Sequence, residues 1–254
     1  MAARPYILAE TTWQAVKASS FEVVVLPWGA TEAHNYHLPY ATDNYQCDYV
    51  AAEAARLAWE QGAKVVVLPT IPFGVNTGQL DITLDMNLNP STQLAILRDV
   101  VSVLARQGIP KLMILNGHGG NDFRQILREL QAEFPSVFLC TTTLFKIVDR
   151  NQFFSAPGDH ADEMETSMML HIAPQLVRPL EEAGPGSAKQ FRIQALRQWA
   201  WAQREWSKVT ADTGVGNPAA ATSEKGAAFL RAVTENLGQF LVELAAADPN
   251  DLYE

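Results

Sequence analysis

Four short apolar runs, three of them followed by a stretch of helical length, constrain this chain more than any other feature. Phe21–Pro27 (FEVVVLP), Lys64–Leu68 (KVVVL), Lys111–Leu115 (KLMIL) and Val137–Thr141 (VFLCT) are rich in β-branched and apolar residues and too short for buried helices. The segments between them, Asp43–Gln61, Ser91–Gln107 and Phe123–Glu133, read as helices. Asp43 or Asn44 can cap the first and Ser91 the second, and Gly62 and Gly108 stop them. Strands that are apolar throughout, rather than alternating, are covered on both faces. The expected fold is therefore α/β, a mostly parallel sheet between two layers of helices. A long Gly/Pro/Asn-rich loop, Pro69–Pro90, interrupts this rhythm. Beyond Asp159 the pattern turns helical, over roughly 162–172, 188–207 and 223–247. With 254 residues, 48% hydrophobic content, no repeat and no linker, a single domain over residues 1–254 is expected.

Charge and composition exclude several partners. The formal net charge is -9 and Lys and Arg do not cluster, which argues against nucleic acid and anionic membrane. No apolar run approaches the ~20 residues of a membrane span, and Met1–Glu10 lacks the apolar core of a signal peptide. Cys47 and Cys140 lie far apart without a CxxC spacing, so a reduced, cytoplasmic setting is expected. The remaining partner class is a small-molecule substrate.

Four of the five histidines fall in three acid-bearing clusters: Glu32-Ala-His34-Asn-Tyr-His37 with Asp43, Asn116-Gly-His118-Gly-Gly-Asn121-Asp122, and Asp159-His160-Ala-Asp162-Glu163-Met-Glu165. His with carboxylate is the donor mixture for zinc, manganese or iron, and it also serves acid–base chemistry near neutral pH. In extended chain, Glu32 and His34 face the same side. Asp43 could bridge two ions with its two oxygens, or merely cap a helix. His37 either supports a ligand from behind or packs in the loop. His118, flanked by glycines at a strand exit, reads as a ligand, although a lone His there could be a turn residue. Glu165 shares a helical face with Asp162 and, if buried there, needs a cation. His160 is a candidate proton carrier. An acidic helix start accounts for Asp162 and Glu163 without any site. His171 reads as packing. Trp199, Trp201 and Trp206 read as a buried contact between subunits, with a substrate lid as the second choice. In an open α/β sheet, function sits at the carboxyl ends of the strands, where the first two clusters fall. No Gly-x-Ser-x-Gly elbow is present and no Cys adjoins a His, so nucleophilic Ser or Cys chemistry is unsupported.

At these residues the chain resembles the creatininase (creatinine amidohydrolase) family. The likeness runs through Leu26-Pro-Trp-Gly-Ala-Thr-Glu-Ala-His34, His37-Leu-Pro, Thr42-Asp43, Asn116-Gly-His-Gly-Gly-Asn121, and His160 with Glu165-Thr-Ser-Met-Met-Leu170. It continues through Gly214-Val-Gly-Asn-Pro218 and Ala221-Thr-Ser-Glu-Lys-Gly226. The resemblance implies a three-layer α/β/α fold, two divalent metal ions per chain (Zn, Mn or Fe), hydrolysis of amide-type C–N bonds, and a homo-oligomer, commonly a hexamer in the family. It implies Glu32 and His118 on one ion, His34 on the other, Asp43 bridging, and His160 in proton transfer. The chain departs from creatininase itself at Gly120, where that enzyme carries a metal-binding carboxylate, and at Ala156, where it carries an aromatic wall. Glu165 is the expected replacement, as in relatives with the Gly-His-Gly-Gly-Asn form, which act on formamides or trim a peptide. Both departures argue against creatinine as substrate.

The expected activity is thus metal-dependent hydrolysis of a cyclic amide, formamide or similar C–N bond, with His160 passing a proton to the leaving nitrogen. The N–H groups of Gly119 and Gly120 are candidates to bind the oxyanion, and His37 and Asn121 to support the ligands. The alternatives are an isomerase or hydrolase of a sugar-like substrate, a non-catalytic metal-loaded oligomer, and a nucleotide-binding module, which lacks its phosphate motif here.

Overall fold

A computed structural model describes residues 3–253. Its centre is a sheet of four parallel strands, β1 (Val23–Trp28), β2 (Val65–Val67), β3 (Lys111–Asn116) and β4 (Phe138–Thr143), in the order β2-β1-β3-β4. The pleat sends alternate residues to opposite faces. Val23, Val25, Met113 and Leu115 join one buried cluster with Phe229, Leu230 and Met168. Val24, Leu26, Trp28, Leu112 and Ile114 join a second with Leu97, Val101 and Leu130. The first face is covered by α2 (Thr42–Glu60), α5 (Glu163–Ile172) and the long α8 (Ser223–Ala246). The second is covered by α3 (Pro90–Gln107) and α4 (Arg124–Glu133). This is the three-layer α/β/α architecture expected from the apolar runs.

The chain leaves β1 for β2 on one side and reaches β3 on the other, so the strand order reverses between β1 and β3. That reversal opens a crevice at the strands' carboxyl ends. Trp28 and Asn116 are register partners at those ends, and the first two His/acid clusters follow them directly.

Several local expectations need correction. The α3 start is Asn89 with Pro90 at the first helical position, not a Ser91 cap. The helix expected over 188–207 does not form. It is replaced by α6 (Ala195–Gln198), α7 (Trp206–Val209) and irregular chain between them. This strap is anchored at its ends rather than along a face: Lys189 N donates to the Val209 carbonyl at 2.8 Å and Trp206 N to the Gly78 carbonyl at 2.9 Å. Trp199 and Trp201 are 81% and 85% exposed, so no apolar stripe rewards a helix there. A two-stranded antiparallel pair, β5 (Gly158–His160) with β6 (Val215–Gly216), forms outside the three helical stretches expected after Asp159. A short α1 (Trp13–Lys17) precedes β1. Among the described residues, no helix is long and apolar enough to cross a membrane.

The late glycine-rich motif has structural work. Thr222 caps α8 through Lys225 N, and Lys225 Nζ pairs with Glu163, tying α8 to α5. A side chain at Gly226 would strike the Ser167 carbonyl, so only glycine lets the two helices approach this closely.

Candidate metal centre

Four segments deliver the site. The turn after β1 brings Glu32 and His34, the first turn of α2 brings Asp43, the turn after β3 brings His118, and β5 with α5 brings His160 and Glu165. All six are buried. His118 Nδ1 lies 2.9 Å from Glu32 Oε1 and 3.1 Å from Asp43 Oδ2. His34 Nε2 lies 3.1 Å from Asp43 Oδ1 and 3.8 Å from Glu165 Oε2. His160 Nδ1 lies 3.7 Å from Glu32 Oε1, and its ring stands 4.2 Å from that of His34. Ligand atoms of Glu32, Asp43 and His118 form one metal-sized group, those of His34, Asp43 and Glu165 a second, and those of Glu32, His34 and His160 a third.

Each histidine uses its other ring nitrogen in the same way. His34 Nδ1 faces the Glu32 carbonyl at 3.0 Å, His118 Nε2 the Val75 carbonyl at 3.1 Å, and His160 Nε2 the Ala33 carbonyl at 2.9 Å. A carbonyl only accepts, so in each ring that nitrogen carries the proton. The other nitrogen of each ring is thereby turned toward the carboxylates, the orientation a ligand histidine needs once that nitrogen is deprotonated.

The donor set fits a divalent cation on a direct test. Glu32 Oε1 and Asp43 Oδ2 are buried and have no hydrogen-bond partner. Both lie beside one His118 nitrogen, which can carry at most one proton. Burying three carboxylates together without a cation is costly, and the titration of the groups reflects it. Burial pushes the Glu165 carboxyl up, to about 8, helped by the charge of Asp43 against the pull of His34. Burial alone would lower His34, but Asp43, then Glu165 and Glu32, outweigh it and carry it up to about 10. His118 is likewise driven up by Glu32 and Asp43 against its own burial. Glu32 and Asp43 are held low by these imidazoles although burial opposes their ionisation. His160 differs: burial and the charge of His34 push it down, so it stays neutral.

Asp43 does not cap α2. The helix starts on Ala41 without a side-chain cap, and the Asp43 carboxylate turns inward. The cap at α5 is Asp162, which accepts from Met164 N and Glu165 N and pairs with Arg150 at 2.6 Å. Ala161, in a left-handed conformation, donates its N–H to Glu165 at 2.5 Å. His37 is not among the converging donors. Its Nε2 meets Thr166 Oγ1 at 2.8 Å, behind His34, and burial holds it down to about 4. Asn121 braces the His118 turn, giving Nδ2 to Asn116 and accepting from Val75 N and Gln93 Nε2. A side chain at Gly120 would meet the Val75 carbonyl and His118 Nε2, so this turn has no room for a carboxylate there. Among the described residues, neither Gly119 N nor Gly120 N donates a hydrogen bond. His171 contacts the Tyr49 hydroxyl, away from the site.

Two contributors escape the sequence reading. Trp206, expected with Trp199 and Trp201 in a buried contact between subunits, is buried within its own chain. Its ring stands edge-on to His160 at 5.3 Å, its Nε1 donates to the Thr213 carbonyl, and Arg204 stacks on it at 4.3 Å. Gln79, from the long loop, donates through Nε2 to Glu32 Oε2. The centre opens into a cavity of about 1070 Å³ walled by the 75–79 loop, the His118 turn, the end of β4 and the strap around Trp201.

Fold and donor set together define a class, the α/β/α sandwiches that gather a buried His/carboxylate donor set at the sheet's switch point. The chain belongs to the creatininase family of amidohydrolases, described as creatinine amidohydrolase, whose pattern matches residues 9–241. A putative creatinine amidohydrolase from Bacteroides fragilis NCTC 9343 superposes with a TM-score of 0.92 at 43% identity, over 98% of this chain and 99% of that one. The mycofactocin precursor peptide peptidase of Mycobacterium tuberculosis is 26% identical over 227 residues, 84% of this chain and 82% of its own length. The creatinine amidohydrolase of Pseudomonas putida is 27% identical over 194 residues, 67% of this chain and 73% of its own. Creatininase structures at 22% identity, one a manganese form and one a mutant of the Zn–Zn type, share the fold at a TM-score of 0.78 and cover 95–96% of this chain and 99–100% of theirs.

Proposed function

We propose that this chain hydrolyses the C–N bond of a cyclic amide, a formamide or a similar small amide, using two divalent ions that share Asp43. The observation that carries the reading is the division of that carboxylate: Oδ1 faces His34 and Oδ2 faces His118, in two separate donor groups. Glu32 and His118 would hold one ion and His34 and Glu165 the other, with Glu165 standing in for the carboxylate that Gly120 lacks. Zinc, manganese and iron all suit these donors. Ions held there supply an acidified water and a polarised carbonyl.

The chain's own groups do the rest. His160, kept neutral and with Nε2–H committed to Ala33, has Nδ1 free to take a proton and return it to the leaving nitrogen. The free N–H groups of Gly119 and Gly120, in the cavity wall, serve the oxyanion. Two free thiols suit a cytoplasmic setting. Exposed Trp199 and Trp201 with Leu80 and Leu84 support a homo-oligomer.

The test is a panel of small amides, formamides and lactams, offered to protein loaded with zinc, manganese or iron, with the released amine and acid measured. Turnover lost on chelation is expected. Conversion of a sugar-like compound to an isomer, with no amine released from any amide, would contradict the reading.

A further inference from the structure

Gln79 is 6% exposed and lies in the cavity wall beside Glu32. Its amide orientation is fixed by its neighbours. Nε2 donates to Glu32 Oε2 and, at 3.2 Å, to Asn76 Oδ1. The Asn76 amide is fixed in turn, because its Nδ2 donates to the Met86 carbonyl at 3.2 Å. Flipping Gln79 would set oxygen against two oxygens. Its Oε1 is therefore the group left over, and it is buried without a partner. A buried carbonyl in that condition is costly unless something completes it. The backbone beneath is held in place: Trp206 N donates to the Gly78 carbonyl at 2.9 Å, and the Thr77 hydroxyl meets Gln203 at 2.6 Å.

The chemistry around Oε1 selects what completes it. With the Glu32 carboxylate and Asn76 Oδ1 already on the same amide, another acceptor would be repelled, whereas a neutral donor fits. In an amide whose carbonyl lies at the centre, the donor nearest that carbonyl is its own N–H. We propose that Gln79 is a specificity-determining residue: Oε1 accepts a hydrogen bond from the N–H of the bound amide while Nε2 holds Glu32, so the site selects primary and secondary amides, formamides included, over N,N-disubstituted ones. This inference rests on the amidohydrolase reading.

The test uses acetohydroxamic acid and N-methylacetohydroxamic acid on the metal-loaded protein. Both chelate through two oxygens, and only the first carries an N–H. Wild type is expected to bind the first about fivefold to tenfold more tightly. In Gln79→Met, similar in length but without the acceptor, that ratio falls to about one, with metal content and binding of the N-methyl compound retained. An unchanged ratio in Gln79→Met, or equal binding by wild type, overturns the inference alone. Failure of both compounds to bind after metal supplementation overturns the amidohydrolase reading and this inference with it. Should Gln79→Met lose metal or fail to fold, a crystal structure of wild type with acetohydroxamate decides. Its nitrogen within hydrogen-bond reach of Oε1 supports the inference, and a water on Oε1 with the N–H turned elsewhere overturns it.

Discussion

Two helices begin beside the candidate metal centre and treat their first buried aspartate in opposite ways. At α5, Asp162 is satisfied by the protein: two backbone N–H groups on one oxygen and Arg150 on the other. At α2, Asp43 leaves its own helix uncapped, reaches two imidazoles, and keeps Oδ2 without a hydrogen bond. Residue type, burial and the field of a helix N-terminus are the same in both places. The partners differ. A carboxylate closed off by N–H groups and a fixed guanidinium is structural. One faced only by imidazoles, whose protons a metal can displace, is the proposed ligand.

Replacing each aspartate should therefore split stability from metal binding. Asp43→Ala is expected to abolish metal binding and lower turnover by about a thousandfold or more, with the fold intact by circular dichroism. Asp162→Ala is expected to cost about 3 kcal/mol in urea unfolding, through the lost cap and an unpaired Arg150, while folded protein keeps its metal. Swapped outcomes would break the comparison. Next in size, His160→Ala should lower kcat by about a hundredfold to ten-thousandfold with metal content unchanged, since its proposed role is proton transfer rather than ligation. Lys225→Met removes the partner of buried Glu163, two residues from the proposed ligand Glu165. It should cost about 2 kcal/mol, read from the urea midpoint, again without metal loss. The smallest effect lies in the apolar layers. Burial pushes the Cys140 thiol up to about 12 and Cys47 upward as well, so iodoacetamide at pH 8 should label neither in the native protein and both in urea.

The sheet was legible because each central strand is a short β-branched run that only a two-faced sheet can bury. The same pattern placed Glu32, His34 and His118 at strand exits on either side of the β1/β3 reversal, and the structure brings them together with Asp43, His160 and Glu165. What the sequence hid depends on distant partners. β5 and β6 are three and two residues long and pair across more than fifty positions, so no local period marks them. The strap over 188–207 has helix-forming composition but no surface to pack on, and tertiary context overrode propensity. The contact of Trp206 with His160 left no sequence signal because the two are remote in the chain. Gln79 sits in a loop without periodicity. The available signal was a long Asn/Gln/Gly loop leaving β2 beside the switch point, where loops line the cleft.

The proposed chemistry requires that Asp43 be shared between two ions. Elemental analysis of protein purified without chelator, and again after metal supplementation, measures this most directly. About two divalent ions per chain in wild type and in Asp162→Ala, with both lost in Asp43→Ala, is the predicted result. Wild-type protein that binds no divalent metal even when supplemented, or Asp43→Ala that keeps its full complement, would contradict it.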